Sequence, residues 1–159
     1  MEIYAMAREF MAMHGNPLQW GPTHWPPREL IVQDIAAQNS YVCLYEDRIV
    51  GVFYFIVGKD IDSTYRHIVD GKWLDDGPYG VVHRLATDGS VHGAGKYCLD
   101  WAFERCGPLR IDTHGDNTVM QRLLQKCGFH HVGTINVVED DFPRLAYEKM
   151  IGRAPCEWQ

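Results

Sequence analysis

The sequence predicts one α/β domain that covers residues 1–159. The length is that of a single ordinary domain, which hides roughly 70% of its unfolded surface and so sustains one core. Hydrophobic residues make up 46% and charged residues 23%, as in globular proteins generally. Helical and strand patterns alternate along the chain, and no repeat, linker or low-complexity tract divides it.

Two amphipathic helices are predicted at the start of the chain. Apolar residues recur at helical spacing over residues 3–13, which predicts a helix that ends near Gly15. A loop rich in proline and tryptophan follows. Pro27 suits a first helical position, and the second helix carries an apolar stripe that includes Ile35 and stops at Asn39.

β-Rich runs make up most of the rest of the chain. The predicted strands are, in order, residues 41–45, 49–57, 79–87, 109–113, 131–138 and 145–150. Residues 46–48 join the first pair as a hairpin, and residues 139–143 join the last pair. Residues 58–78 are irregular, with a short helix near residues 65–69.

Two more helices separate the later strands. Residues 95–106 follow a glycine-punctuated turn, and residues 119–127 carry a clear apolar face. Gly128 lies where a helix-ending glycine is common. The predicted order is therefore ααββ, then βαβα, then ββ.

Charge and composition exclude several classes of protein. The net charge is −6 without any basic run, so nucleic acid is not an expected partner, and a negative surface modestly favours cationic substrates. No apolar stretch approaches the ~20 residues that span a bilayer, and the N-terminus lacks signal-peptide features, which predicts a cytoplasmic protein without membrane association. An odd number of cysteines fits reduced thiols, and no metal-ligand spacing is present. The cysteines are Cys43, Cys98, Cys106, Cys127 and Cys156.

The segment from Val81 to Lys96 carries the main chemical signal. A predicted strand leads into a turn with Gly93 and Gly95, and a helix follows. Glycine lets the backbone approach a ligand, and a helix N-terminus offers free N–H groups and positive potential, which suits a pyrophosphate. An ordinary strand-to-helix turn is the alternative. A dinucleotide fold is not expected, because its third glycine would stand at Cys98.

Two motifs, in this order, resemble the signatures of the GCN5-related N-acetyltransferase (GNAT) superfamily. Residues 90–95, Ser-Val-His-Gly-Ala-Gly, resemble its pyrophosphate motif, with Ser90 where Arg or Gln is usual. Residues 117–129 run from an asparagine through a helix to Lys-Cys-Gly-Phe and resemble its second signature. The wider pattern is similar to a bacterial subgroup, and it includes Gln19-Trp20, Tyr79, His83-Arg84, Asp112-Thr113-His114, Asp116-Asn117, Pro143-Arg144 and Ala146-Tyr147.

The resemblance implies a single GNAT domain with flanking helices and a mixed, mostly antiparallel sheet that splays open after residues 79–87. It also implies acetyl-CoA as the cofactor, with the pantetheine arm in that gap and the pyrophosphate on backbone amides of the turn. The residues expected to bind the cofactor are Leu85, Ala86, Thr87, Ser90, Val91, His92, Gly93, Ala94, Gly95, Lys96, Asn117 and Lys126.

The resemblance further implies that an amine attacks the thioester directly. The amide of Leu85 is the candidate oxyanion donor, since fixed N–H dipoles stabilise developing charge. His83 is the first candidate base, because it flanks the expected thioester and imidazole titrates near neutrality; a structural histidine is the alternative. His114, which Asp112 could orient, is the second candidate, with a loop-structural role as the alternative.

Aromatic residues supply the remaining candidates. Tyr147 and Tyr79 could act as the general acid, or could serve as packing residues with a polar tip. Trp20 and Trp25 lie in a loop that commonly borders the acceptor in this fold, so they are expected to contact the substrate together with Tyr79 and His83. Covering the core is the alternative role of both tryptophans.

Three features depart from the superfamily pattern. The position that often holds an acidic tyrosine is Leu124 here, and Ser90 is expected to weaken cofactor binding. The chain starts almost within its first helix, so the first edge strand of the fold is expected to be missing. An uncovered sheet edge is compatible with a homodimer.

The sequence thus predicts an N-acetyltransferase that moves an acetyl group from acetyl-CoA to a primary amine of a small molecule or a peptide. A non-catalytic CoA-binding regulatory module on the same fold is the alternative. A structural or interaction protein with a vestigial site is the third reading. The acceptor itself is not predicted, because acceptor pockets in this fold are built from loops.

Overall fold

The structure, a computed structural model, describes residues 1–138 and 140–152. Within these residues the α-helices are α1 (Glu2–Met13), α2 (Arg28–Ala36), α3 (Ala94–Cys106) and α4 (Thr118–Lys126). The strands are β1 (Ser40–Tyr45), β2 (Arg48–Gly58), β3 (Ile68–Val69), β4 (Tyr79–Thr87), β5 (Leu109–His114), β6 (His130–Ile135) and β7 (Arg144–Lys149). A 3-10 helix, Ser63–Arg66, precedes β3. None of the described helices is long and apolar enough to cross a membrane.

The described strands form one sheet in the order β1-β2-β4-β5-β7-β6-β3. Neighbouring strands are antiparallel except β4 and β5, which run parallel. This confirms the predicted mixed, mostly antiparallel sheet with flanking helices. In residues 1–138 and 140–152 no strand precedes α1, and β1 is an edge strand.

The parallel strands β4 and β5 separate soon after they meet. They pair only at Gly80 with Leu109 and at Val81 with Arg110. Beyond Val81 the strands diverge, so the edge of β4 that faces β5 has no ladder partner there. This is the predicted opening of the sheet.

A β-bulge interrupts β4 beside this gap. Between His83 and Ala86, β4 has two residues, Arg84 and Leu85, where β2 has only Phe53. Arg84 takes a left-handed backbone conformation with a φ of 53°. The bulge shifts the side-chain alternation along β4, so that Leu85 joins the core cluster on the face covered by α3 and α4.

Each face of the sheet has its own cluster of buried residues. The larger cluster lies under α3 and α4 and includes the fully buried Leu109 and Leu124. The smaller cluster lies on the opposite face and consists of Tyr65, Tyr79, Val81, Ile135 and Ala146.

Helix α2 departs from its predicted apolar stripe. Ile35 is 61% exposed, and the buried residue of the helix is Asp34. Its carboxylate accepts a hydrogen bond from Arg84 Nη2 at 2.6 Å, and this pairing makes burial of the charge tolerable. Pro27 precedes the helix with extended backbone, one position before the predicted placement.

The irregular stretch also differs in detail. The predicted helix near residues 65–69 is wrong: a 3-10 turn ends at Arg66, and two residues then pair with β6 as strand β3. So short a strand carries no periodicity that a sequence pattern could show. Strand β6 ends at Ile135, before the predicted position 138. Glu139 and Cys156, which also figured in the sequence predictions, lie outside the described residues.

Candidate active site

A cavity of about 310 Å³ occupies the gap between β4 and β5. Helix α1 forms one wall, helix α4 another, and the loop with Trp20 and Trp25 contributes a third. The helical side chains that line it are Met6, Ala7, Phe10, Met11, Val119, Met120 and Leu123. The space is therefore largely apolar with a polar strand edge along one side.

The strand wall of the cavity is formed by residues 82–87, which include Leu85, Ala86 and Thr87. This is the edge of β4 that no longer pairs with β5, and such an edge offers donors and acceptors to an extended ligand. Across the gap, the hydroxyl of Thr113 is buried without a hydrogen-bond partner in the described part of the chain. Because a buried hydroxyl without a hydrogen-bond partner destabilises the fold, the gap is suited to a ligand with polar groups.

The turn after β4 ends at Gly93, which precedes α3 with a left-handed φ of 85°. No described side chain caps α3. The N–H of Ala94 bonds the carbonyl of Val91 at 3.3 Å, whereas the N–H groups of Gly95 and Lys96 have no partner in the described residues and lie at the positive end of the helix. Ser90 is already engaged: its hydroxyl donates to Asp88 Oδ1 at 2.7 Å and its N–H donates to the same oxygen at 2.9 Å. Lys96 forms an ion pair with Asp100 one helical turn further on.

The other residues predicted to bind the cofactor divide by position. Gly95 lines the cavity. Val91 and Ala94 pack into the larger core cluster. His92 and Lys126 are exposed and do not line the cavity.

Asn117 caps helix α4 and also reaches the tryptophan loop. Its Oδ1 accepts from the N–H of Met120 at 3.1 Å, and its Nδ2 donates to Gln19 Oε1 at 2.9 Å. Trp20 and Trp25 line the cavity. The helix-cap role of Asn117 therefore coexists with a position on the cavity wall.

His83 lies on the cavity wall between two carboxylates. Its Nε2 is 2.6 Å from Asp62 Oδ2 and its Nδ1 is 3.5 Å from Asp112 Oδ2. The hydroxyl of Tyr65 donates to the same Asp112 oxygen at 2.8 Å, and the Tyr65 ring packs edge-on against His83. We call these four residues the histidine cluster. Asp112 does not orient His114 as expected, because its carboxylate is engaged by Tyr65 and faces His83.

The two carboxylates make His83 more basic than a free imidazole. Burial alone lowers its pKa, but the hydrogen bond with Asp62 and the charge of Asp112 outweigh burial, and the pKa is raised. Burial raises the pKa of Asp62, but the bonds with His83 and Thr64 outweigh it and lower the pKa to about 2. Burial, with the Asp112 charge, raises the pKa of Tyr65 well above its ordinary value. With His83 protonated, the cluster carries one net negative charge.

Arg84 brings a second charged group to the cavity from the bulge of β4. Its Nη2 bonds Asp34 of helix α2, and its guanidinium lies 4.6 Å from the centre of the Tyr54 ring. The Nε of Arg84 is buried and has no partner in the described residues. The carboxylate of Asp34 therefore balances the positive charge that Arg84 brings to the cavity wall.

Three predicted acid–base residues lie away from the cavity lining. His114 is buried; its Nδ1 accepts the N–H of Asp116 at 3.1 Å, and burial together with the Arg144 charge lowers its pKa. Tyr147 lies in the larger core cluster. Tyr79 lies in the smaller one. The structure thus brings His83 and Leu85 together at the gap, but not these three.

The sequence model of the acetyltransferase (GNAT) family matches residues 4–129. The chain belongs to the GNAT acetyltransferase family. The GNAT match covers the glycine turn before α3 and the whole of α4. No curated protein matches the chain.

Solved GNAT structures share this fold. A GNAT-family acetyltransferase from Streptococcus agalactiae is 29% identical, with a TM-score of 0.85 over 96% of this chain and 88% of that chain. The ribosomal-protein-alanine N-acetyltransferase from Brucella melitensis is 17% identical, with a TM-score of 0.57 over 93% of this chain and 96% of that one. Arabidopsis thaliana NAA60 in complex with acetyl-CoA is 11% identical, with a TM-score of 0.61 over 92% and 95%. The latter two likenesses show the fold alone.

Sequence reasoning missed several residues of this GNAT site. Asp62 and Tyr65 lie in the irregular stretch before β4, where no pattern marked them. Asp34 could have been identified from its position in the helix, because its carboxylate lies on the same face as Leu30 and Ile31, which are half-buried. Leu124, at the position of the usual GNAT tyrosine, is fully buried in the core instead of lining the cavity.

Proposed function

We propose that this GNAT protein is an N-acetyltransferase that moves an acetyl group from acetyl-CoA to a primary amine. The observation that carries the proposal is the position of His83. An acid–base side chain stands on the cavity wall, two residues before Leu85, where the edge of β4 is open to a ligand.

The residues of the gap suit acetyl-CoA. The open edge of β4 and the buried hydroxyl of Thr113 offer hydrogen bonds to a pantetheine chain. The N-terminus of α3 after Gly93 suits a pyrophosphate, because N–H groups and the helix dipole both favour anions there. When bound, acetyl-CoA supplies the acetyl group as a thioester. Family membership supports this choice.

The charges around the cavity favour an acceptor that arrives as a cation. The histidine cluster is net negative when His83 is protonated, and Arg84 is neutralised by Asp34. A negative site with low-dielectric walls attracts an ammonium group. An amine of a small molecule or a peptide fits this requirement.

Two groups on β4 are assigned roles in the transfer. His83 takes the proton that the amine loses, since its ring lines the cavity and its pKa is raised. The N–H of Leu85 is the donor for negative charge that develops on the acyl oxygen. Tyr147, Tyr79 and His114 receive no role in this scheme, because none of them lines the cavity.

A non-catalytic CoA-binding module is a second candidate, and one observation favours it. Leu124 stands at the position of the GNAT tyrosine and is fully buried, and neither Tyr79 nor Tyr147 lines the cavity. None of the predicted tyrosine acids is therefore placed to protonate the departing thiolate. Such a module would bind CoA without transferring the acetyl group.

The first test is thermal unfolding of the purified protein titrated with CoA and with acetyl-CoA. A ligand at 100 times its Kd that binds only the folded state stabilises it by roughly 2.7 kcal/mol. A saturable rise in Tm is expected. No rise at millimolar ligand contradicts both candidate functions.

The second test separates enzyme from module. Release of free CoA is followed with a panel of primary amines for wild type, for His83→Ala and for a control, His67→Ala, at an exposed histidine. Turnover in wild type and in the control, with a loss of about 10²-fold or more in His83→Ala, is expected. Binding without turnover for every amine favours the module.

A further inference from the structure

The two oxygens of Asp62 have separate partners. Oδ1 accepts from the backbone N–H of Thr64 at 2.9 Å and from its hydroxyl at 2.6 Å. Oδ2 lies 2.6 Å from Nε2 of His83. One oxygen therefore caps the 3-10 turn and fixes the carboxylate, while the other is directed at the imidazole.

We propose that Asp62 is the positioning residue of the acid–base group: by accepting the Nε2–H of His83, it holds the ring in one tautomer with Nδ1 free. This inference deepens the proposed function and rests on it. It goes beyond naming His83, because it assigns which ring nitrogen handles the proton and which residue enforces that choice.

The other neighbours of His83 do not compete with Asp62. Nδ1 is 3.5 Å from Asp112 Oδ2, longer than an ordinary N–H···O bond, and that oxygen already accepts from the Tyr65 hydroxyl. Tyr54 stacks on the imidazole with ring centroids 6.0 Å apart. Arg84 is the adjacent charged residue of β4, and its Nη2 is bonded to Asp34. Nδ1 is thus the nitrogen left for exchange with a substrate.

The proton balance of the transfer closes with this assignment. A C–N bond forms, the thioester C–S bond breaks, and the proton lost by the amine ends on the thiol of CoA. Nδ1 of His83 receives that proton from the amine nitrogen and later releases it. Nε2 keeps its proton throughout, because Asp62 stays ionised with a pKa lowered to about 2.

Asp112 completes the arrangement from the other side. Its carboxylate lines the cavity within 3.5 Å of Nδ1. An amine that arrives as an ammonium can rest against this carboxylate, and it loses one proton to water before it attacks. Nδ1 then takes the second proton, which the nitrogen loses as the amide forms. The charge of Asp112 also opposes loss of the proton from His83, in the same direction as the Asp62 bond.

The discriminating variant is Asp62→Asn. An asparagine oxygen still accepts from Thr64 N–H and caps the turn, since Asn is a good helix cap. The amide nitrogen then faces His83 as a donor, so Nε2 becomes the acceptor and the proton moves to Nδ1. The matched control is Asp60→Asn, the same change at an exposed carboxylate in the same loop, whose φ of 54° Asn tolerates.

Nitrogen-15 NMR of the ring of His83 reads the tautomer without any catalysis. The expected result is the Nε2–H form of the neutral ring in wild type and in Asp60→Asn, and the Nδ1–H form in Asp62→Asn. In turnover, kcat/KM of Asp62→Asn is expected to fall about 10²-fold, with the acid limb of the pH–rate profile moved to lower pH. CoA affinity is expected to stay as in wild type.

Two results overturn the proposal: an unchanged tautomer in Asp62→Asn, or a switched tautomer with rate and pH profile both unchanged. If Asp62→Asn does not fold, Asp62→Ser repeats the test, because serine also caps a turn and lacks the second oxygen. If wild type acetylates no amine, the proposed function fails by itself. The NMR measurement then still accepts or rejects Asp62 as the group that orients His83.

Discussion

The side-chain amide of Asn117 donates to Gln19 Oε1 at 2.9 Å, which joins the start of α4 to the tryptophan loop. Gln19 Oε1 also accepts from Nδ2 of the buried Asn16, and the N–H of Asn16 bonds the carbonyl of Met11 in α1. Two walls of the cavity are thus tied together through a few amide groups. The position of Trp20, the residue after Gln19, depends on this link.

Replacement of Asn117 is expected to separate its two roles. Asn117→Ala removes the cap of α4 and should cost about 1 kcal/mol in unfolding free energy, measured by urea denaturation. Asn117→Asp keeps the acceptor for Met120 N–H but cannot donate to Gln19, so it should cost less and should speed hydrogen exchange in residues 16–25. Equal losses of stability in the two variants would contradict this separation.

The Arg84–Asp34 pair is expected to dominate the stability of the region around α2. Asp34→Ala leaves a guanidinium that is 11% exposed without its partner, and removing one member of a buried pair costs roughly 3–5 kcal/mol. Urea denaturation measures the loss. Glu29→Ala, on the exposed side of the same helix, is the control and should change stability by about 0.5 kcal/mol or less. A loss as small in Asp34→Ala would show that the pair is not important for stability.

Two glycines with the same backbone conformation allow a matched test of the turn before α3. Gly93 and Gly15 have φ of 85° and 83°, and an added Cβ meets no atom within 4 Å at either position. Each change to Ala should cost about 1 kcal/mol, because L-residues disfavour this region. Only Gly93→Ala is expected to weaken CoA binding in isothermal titration calorimetry. The same Kd in both variants argues against a pyrophosphate site at this turn.

The Asp62–His83 pair is expected to give stability a defined pH window. The pKa of Asp62 is lowered from 3.8 to about 2 in the folded protein, so its contribution is present above 3.8 and is lost as pH falls toward 2. The pKa of His83 is raised from 6.5, so its contribution is complete below 6.5 and is lost as pH rises through the raised value.

Unfolding free energies of wild type and Asp62→Asn, measured from pH about 2 to 9, test this window. Their difference should be largest between about pH 4 and 6.5 and smaller at both ends. A difference that does not vary with pH would mean that the two groups are not paired in solution.

Features set by neighbouring residues could be predicted well. The strand at residues 79–87 has its predicted bounds. Helix α4 could be predicted from its apolar face, and its end from Gly128, because glycine accepts a φ of 81°. The glycine turn before α3 was found for the same reason, since Gly93 takes the conformation that favours glycine.

Contacts between distant parts of the chain could not be predicted. His83 and Asp62 are 21 residues apart, Arg84 and Asp34 are 50 apart, and Asn117 and Gln19 are 98 apart. Their meeting depends on strand register and on the bulge of β4, neither of which leaves a periodic pattern. Tyr147 shows the converse, because the sequence predicts it as a candidate acid but it packs into the larger core cluster.

The sequence by itself determined the order of helices and strands outside residues 58–78, the glycine turn and the GNAT family, because backbone preference and apolar periodicity act over a few residues. The tertiary structure alone decided which carboxylates face His83 and that Tyr147 lies in the core. Ion pairs and hydrogen bonds form between residues that are close in the folded chain. Long loops bring these residues together, and no local sequence pattern marks them.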